Sequence, residues 1–281
     1  MSPGSRAAAA WRRWEQHPVW RGWTRARELS LVTHALALAA QQVLCTAPLM
    51  VALSALLRRA GGEGPGVLVP RYLGLTGASA KDVAALFAGA SPRVSFDNLA
   101  VGALLAFAFG TGVALTLQRG CELIWDVPRA GVRSFPRQCL WLFGLVAYLV
   151  VILSVGRNAH HIHGHDHVRL GARVVVQFGA SFVFFWWSQR LLLGGRVSWR
   201  ALWPGALAIA VGTAGLVALS GLVLPGQITD EVSDYGLVGG AFVLSIWLVA
   251  LSGVVLGGVM VGNVVHDAHR PVGEAQPSDS D

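Results

Sequence analysis

Charge is what this chain has least of. Of its 281 residues only 13% are Asp, Glu, Lys or Arg, against roughly 25% in soluble domains. So few ionic groups cannot cover a water-facing surface, which excludes an ordinary soluble protein. Cysteine is scarce too. Cys45, Cys121 and Cys139 are odd in number and scattered, which excludes a disulfide framework and a cysteine-based metal site. Catalytic patterns are missing as well: there is no Ser-His-Asp arrangement, P-loop, HExxH or paired carboxylates. The expectation is therefore not an enzyme and no resident cofactor. A cleavable signal is not expected, because the first apolar run begins only after residue 28 and is about twice the usual 7 to 15 residues.

Apolar residues make up 54% of the chain and the mean hydropathy is +0.54. They fall into six blocks, 31–57, 99–117, 139–155, 174–188, 204–224 and 236–261, each read as a membrane span. The predicted fold class is all-α, a polytopic transmembrane bundle of six spans. The longest connection, 58–98, has 41 residues, too few to bury a catalytic core of its own. Residues 1–30 combine six arginines with Trp11, Trp14, Trp20 and Trp23, the mixture of a segment lying on the cytoplasmic membrane surface. With that end inside, 14 of the 22 basic residues fall on inner connections. Trp125, Trp141, Trp199 and Trp203 flank the same boundary, so both termini are expected in the cytoplasm. The net charge of +7 follows from this topology, and no nucleic-acid partner is expected.

The fourth block is short for a roughly 30 Å hydrocarbon core and closes on Gln189-Arg190. In the connection 58–98, Ser79 and Asp82 resemble a capping box, and Val83, Leu86, Phe87 and Ala90 follow at helical spacing. A short amphipathic surface helix is predicted there. Residues 262–281 form the expected disordered cytoplasmic tail, polar from Arg270 onward with two prolines.

Polar residues inside the blocks are the candidate pathway. His34, Gln41, Cys45 and Pro48 fall on one helical stripe, and Pro48 cannot hydrogen-bond back to Leu44, which predicts a kink. Gln177 with Ser181, Thr213 with Ser220 and Ser245 with Ser252 repeat the pattern. Either these stripes converge on a polar groove or they act as interhelical bonds. Arg119 and Arg190, near the inner boundary, are candidates to attract an anionic lipid headgroup, besides fixing topology. In the last block Gly253 to Gly257 and Gly258 to Gly262 have GxxxG spacing. It serves close helix packing within the chain or in a homo-oligomer.

A metal-ligand pattern occurs in the sequence NAHHIHGHDH from Asn158 to His167. His161, His163, His165 and His167 alternate, so in an extended segment their imidazoles share a face that suits a divalent transition metal. The competing reading is a solvated loop that happens to be rich in histidine.

Small motifs recur around the apolar blocks: Pro48-Leu49, Ile124-Trp125, Trp199-Arg200 leading into Pro204-Gly205-Ala206, Tyr235-Gly236, Trp247 and Leu256-Gly257-Gly258. In their order and spacing the chain resembles the YihY/BrkB family of six-span bacterial inner-membrane proteins, once labelled ribonuclease BN. Glu122 stands where the family often has asparagine, and Met260 where many members have an acidic residue. The resemblance implies a multi-pass protein of the bacterial plasma membrane, with membrane lipids as partners, that acts as a transporter or as an exporter or flippase of an envelope lipid. The competing reading is a non-transporting scaffold that supports envelope integrity.

Overall fold

The computed structural model describes residues 30–59, 65–72, 81, 84, 96–158, 166–235 and 237–269. Every regular element among them is helical. In hydrocarbon no water can satisfy a free peptide group, so apolar blocks of this length must close their hydrogen bonds internally. Seven α-helices result: α1 (Leu31–Arg59), α2 (Pro65–Tyr72), α3 (Phe96–Ile124), α4 (Phe135–Asn158), α5 (Asp166–Leu192), α6 (Trp199–Tyr235) and α7 (Leu237–Ala268).

Five of these helices are long and apolar enough to cross a membrane, over Leu31–Ser54, Val101–Ile124, Phe135–Ser154, Trp199–Val223 and Val238–Ala268. The chain is therefore a multi-pass membrane protein. Helix α5, from the fourth apolar block, is not among the five. Each of the six long helices outruns its apolar block. Helix α6 absorbs residues 225–235, which the sequence reading assigned to a connection. Helix α7 continues through residues 262–268, read from sequence as the start of the tail. Helix α1 runs unbroken through Pro48.

The long helices follow one another around a ring. Each packs on its neighbour in sequence, and α7 closes the ring against α1. The C-terminal half of α3 sits inside it, touching α5 and α7 as well, so Ala114, Leu117, Cys121 and Ile124 are buried. Outward faces are apolar: Leu44 on α1, Leu104 on α3, Phe143 on α4, Val175 on α5, Leu222 on α6 and Phe242 on α7 are all exposed. Such surface is stable against lipid and not against water.

The short helix α2 was not foreseen. It buries Leu68 with Leu53 of α1 and Leu153 of α4. Of the amphipathic helix predicted after Ser79, only positions 81 and 84 are described. The segments 1–29 and 270–281 lie outside the described residues, as do 159–165 with His161, His163 and His165. His167 falls within the first turn of α5.

Candidate functional site

All six long helices and α2 border one elongated cavity of about 410 Å³. Helix α1 contributes Leu38, Gln42, Cys45, Thr46 and Leu49, a stripe at i, i+4, i+7, i+8 and i+11. Helix α4 contributes positions from Trp141 to Ile152, and α7 positions from Gly240 to Val255. Tyr148 stacks on Phe184 with ring centroids 4.5 Å apart and meets Phe185 edge-on, making one aromatic wall.

No charged side chain lines the cavity among the described residues, and most of its polar groups are bonded within the protein. The Trp141 indole donates to Ser188 Oγ. Tyr148 Oη and Ser181 Oγ lie 2.9 Å apart. Thr46 donates to the Gln42 carbonyl, Thr213 to that of Ile209, and Ser220 to that of Val217. Ser252 Oγ reaches Gln42 Oε1 at 3.3 Å. What remains facing the lumen is almost wholly hydrocarbon.

One end of the bundle is closed by a polar network. Arg196, in the turn between α5 and α6, places Nη2 2.7 Å from Glu122 Oε1 at the end of α3. The same carboxylate oxygen accepts from Gln118 Nε2 and from the Ala130 amide, and Gln138 bridges Gln118 to Ser134. Arg196 also donates to the carbonyls of Leu193 and Pro128. Both helix ends here are closed by the paired bonds of a Schellman turn. Asp126 (φ 50°) and Val127 return to Leu123 and Glu122, and Gly194 (φ 64°) and Gly195 return to Leu191 and Arg190. Arg129, Arg133, Arg137, Arg190, Arg196 and Arg200 all sit on these turns or within a turn of them.

The same end holds a close helix crossing. A Cβ on Gly262 of α7 would lie 2.9 Å from the backbone of Gly205 on α6, and one on Gly205 would lie 3.1 Å from the Gly258 carbonyl. Trp125 covers this crossing and faces the His266 ring at 5.7 Å. Motifs scattered in sequence, Ile124-Trp125, Pro204-Gly205-Ala206 and Leu256-Gly257-Gly258, thus meet in a single packing node.

None of the six pathway residues predicted from sequence lines the cavity. His34 bonds back to the Ser30 carbonyl in the first turn of α1. Gln41 lies against Gly112 of α3, and Pro48 is half-buried beside the wall residue Leu49. Gln177 is buried between helices. Arg119 is exposed on α3. Arg190 binds the carbonyls of Gly195 and Val197 and lies 5.7 Å over the Trp199 ring, holding the α5–α6 turn together. The neighbouring positions that do face the lumen, Cys45, Thr213 and Ser220, came from the same polar stripes. Sequence reasoning missed Gln42, Thr46, Tyr148 and Trp247. For Gln42 the signal was there in the Gln41-Gln42 pair, but a helix apolar on every side gives no phase with which to choose between them. The Glu122–Arg196 pair was missed because its partners are 74 residues apart. Among the described residues no group of three His, Cys, Asp or Glu could hold a metal.

Compared with known proteins, residues 23–281 match a family model described as Virulence factor BrkB. No curated protein and no solved structure matches.

Proposed function

The chain belongs to the BrkB virulence-factor family, and on that premise we propose that it moves or flips an envelope lipid across the bacterial inner membrane. The observation that carries this reading is the cavity of about 410 Å³ built by all six long helices. A bundle made only to hold its helices together would fill that space with side chains, since interiors pack to the density of organic crystals.

We read α5 as the sixth span. Its 27 residues reach about 40 Å at 1.5 Å per residue, and Val174, Val175, Val176 and Val183 are exposed on it as on the other spans. The arginine-bearing end is then the cytoplasmic one by the positive-inside rule, which puts both termini inside. Exposed Arg119 and the arginines of the short turns supply positive charge where anionic headgroups lie. No catalytic role and no cofactor enter this reading, and the partners are membrane lipids.

Reconstitution tests it. Vesicles holding the purified protein are expected to equilibrate a fluorescent phospholipid between leaflets faster than protein-free vesicles. A Leu248→Trp variant, which narrows the cavity, is expected to slow this while inserting normally. No acceleration by the wild type, together with full rescue of a deletion strain by Leu248→Trp, would replace transport with the scaffold reading.

A further inference from the structure

Resting on the lipid-handling reading, we propose that the cavity is a binding site for a single hydrocarbon chain of a membrane lipid, and that the headgroup stays outside it. Three observations point the same way.

The first is the chemistry of the wall. Across α1, α3, α4, α5, α6 and α7 the lining is mostly leucine, valine and aromatic side chains, with no ionic group among the described residues. A phosphate or ammonium moved into such a space would lose its hydration with nothing to replace it. An alkyl chain loses nothing and gains dispersion contacts with the walls.

The second is that most polar wall groups already hold a hydrogen bond within the protein. The Trp141 indole is taken by Ser188, Tyr148 by Ser181, and the hydroxyls of Thr46, Thr213 and Ser220 by carbonyls of their own helices. A site for a headgroup presents unpaired donors or acceptors to it. These groups present methyl, methylene and ring surface instead.

The third is shape. The wall runs along α4 from Trp141 to Ile152 and along α7 from Gly240 to Val255, about 16 Å and 22 Å at 1.5 Å per residue. One leaflet supplies about half of a roughly 30 Å hydrocarbon core. The cavity is thus at least as long as the chain layer of one leaflet and lies parallel to the helices. Its surroundings are spans whose outer faces are apolar, so the reservoir of chains is the bilayer itself.

Photolabelling tests this without reference to transport. The full-length protein is reconstituted in phosphatidylethanolamine and phosphatidylglycerol vesicles with a phospholipid bearing a diazirine midway along one acyl chain. A second sample carries the diazirine on the headgroup. After irradiation, mass spectrometry of peptides locates the adducts. The chain probe is expected to mark lumen positions such as Leu145, Leu216 and Leu244, in addition to outward residues such as Phe143 and Phe242. The headgroup probe is expected to mark none of the lumen positions. Leu216→Trp and Leu244→Trp are each expected to abolish most lumen labelling by the chain probe and leave outward labelling unchanged, whereas Leu216→Met keeps both. Lumen adducts from the headgroup probe would overturn the proposal, and so would outward adducts alone in the wild type, which would mean that another part of this chain fills the space. Lumen labelling by the chain probe in a protein that accelerates no lipid exchange would uphold the chain site and remove the transport reading.

Discussion

Arg196 and Glu122, 74 residues apart in sequence, meet at 2.7 Å and tie the turn before α6 to the end of α3. Glu122 is buried, and Arg196 keeps 30% of its side chain exposed. Glu122 therefore comes with its own counter-ion. Replacing Arg196 by Ala leaves a buried carboxylate held only by Gln118 and the Ala130 amide, at a cost of about 1 to 3 kcal/mol. Thermal unfolding in detergent is expected to show a lower midpoint for Arg196→Ala than for the double variant Glu122→Gln/Arg196→Ala. Equal midpoints would mean that the two side chains are not coupled.

The two GxxxG steps of α7 differ in what they face. Gly258 and Gly262 meet Gly205 of α6, whereas Gly253 and Gly257 have open space where a Cβ would point. Gly262→Ala must push α6 and α7 apart and is expected to destabilise by about 1 to 3 kcal/mol. Gly257→Ala is expected to be neutral or to stabilise by up to about 1 kcal/mol through helix propensity. The comparison is read as the change in unfolding midpoint of each variant, and a larger loss for Gly257→Ala would reverse the packing assignment.

Topology is open to a direct chemical check in intact cells. Single cysteines introduced at Ile162 and Thr229, in a background with Cys45, Cys121 and Cys139 replaced by serine, are expected to react with a membrane-impermeant maleimide. A cysteine at Ser5 is expected to react only after lysis. The opposite pattern would turn the bundle over and place its arginine-bearing end outside.

The alternating histidines after Asn158 make a separate prediction. Calorimetry of the purified protein is expected to show zinc binding that disappears when His161, His163, His165 and His167 are all replaced by alanine. Equal zinc uptake by both proteins would reduce the segment to a solvated loop.

Length and hydropathy by themselves determined that this chain is helical and crosses a membrane several times, because a long apolar run in lipid has no stable alternative to a helix. The order of small motifs from Pro48-Leu49 to Leu256-Gly257-Gly258 determined the family. Only the tertiary structure decided which face of each helix looks inward. Gln42 faces the lumen and Gln41 packs on Gly112 because of a rotation of 100° per residue about α1. That rotation is invisible in a sequence whose lipid-facing and protein-facing residues are equally apolar. For the same reason the expected polar groove became a hydrocarbon-lined cavity. Serine and threonine inside a helix bond to carbonyls one turn back and turn their carbon atoms outward, so counting them overstates how polar the interior is. The pairing of Glu122 with Arg196 and the meeting of Gly205 with Gly262 are likewise long-range events, set by how α3, α6 and α7 pack and not by anything local to those residues.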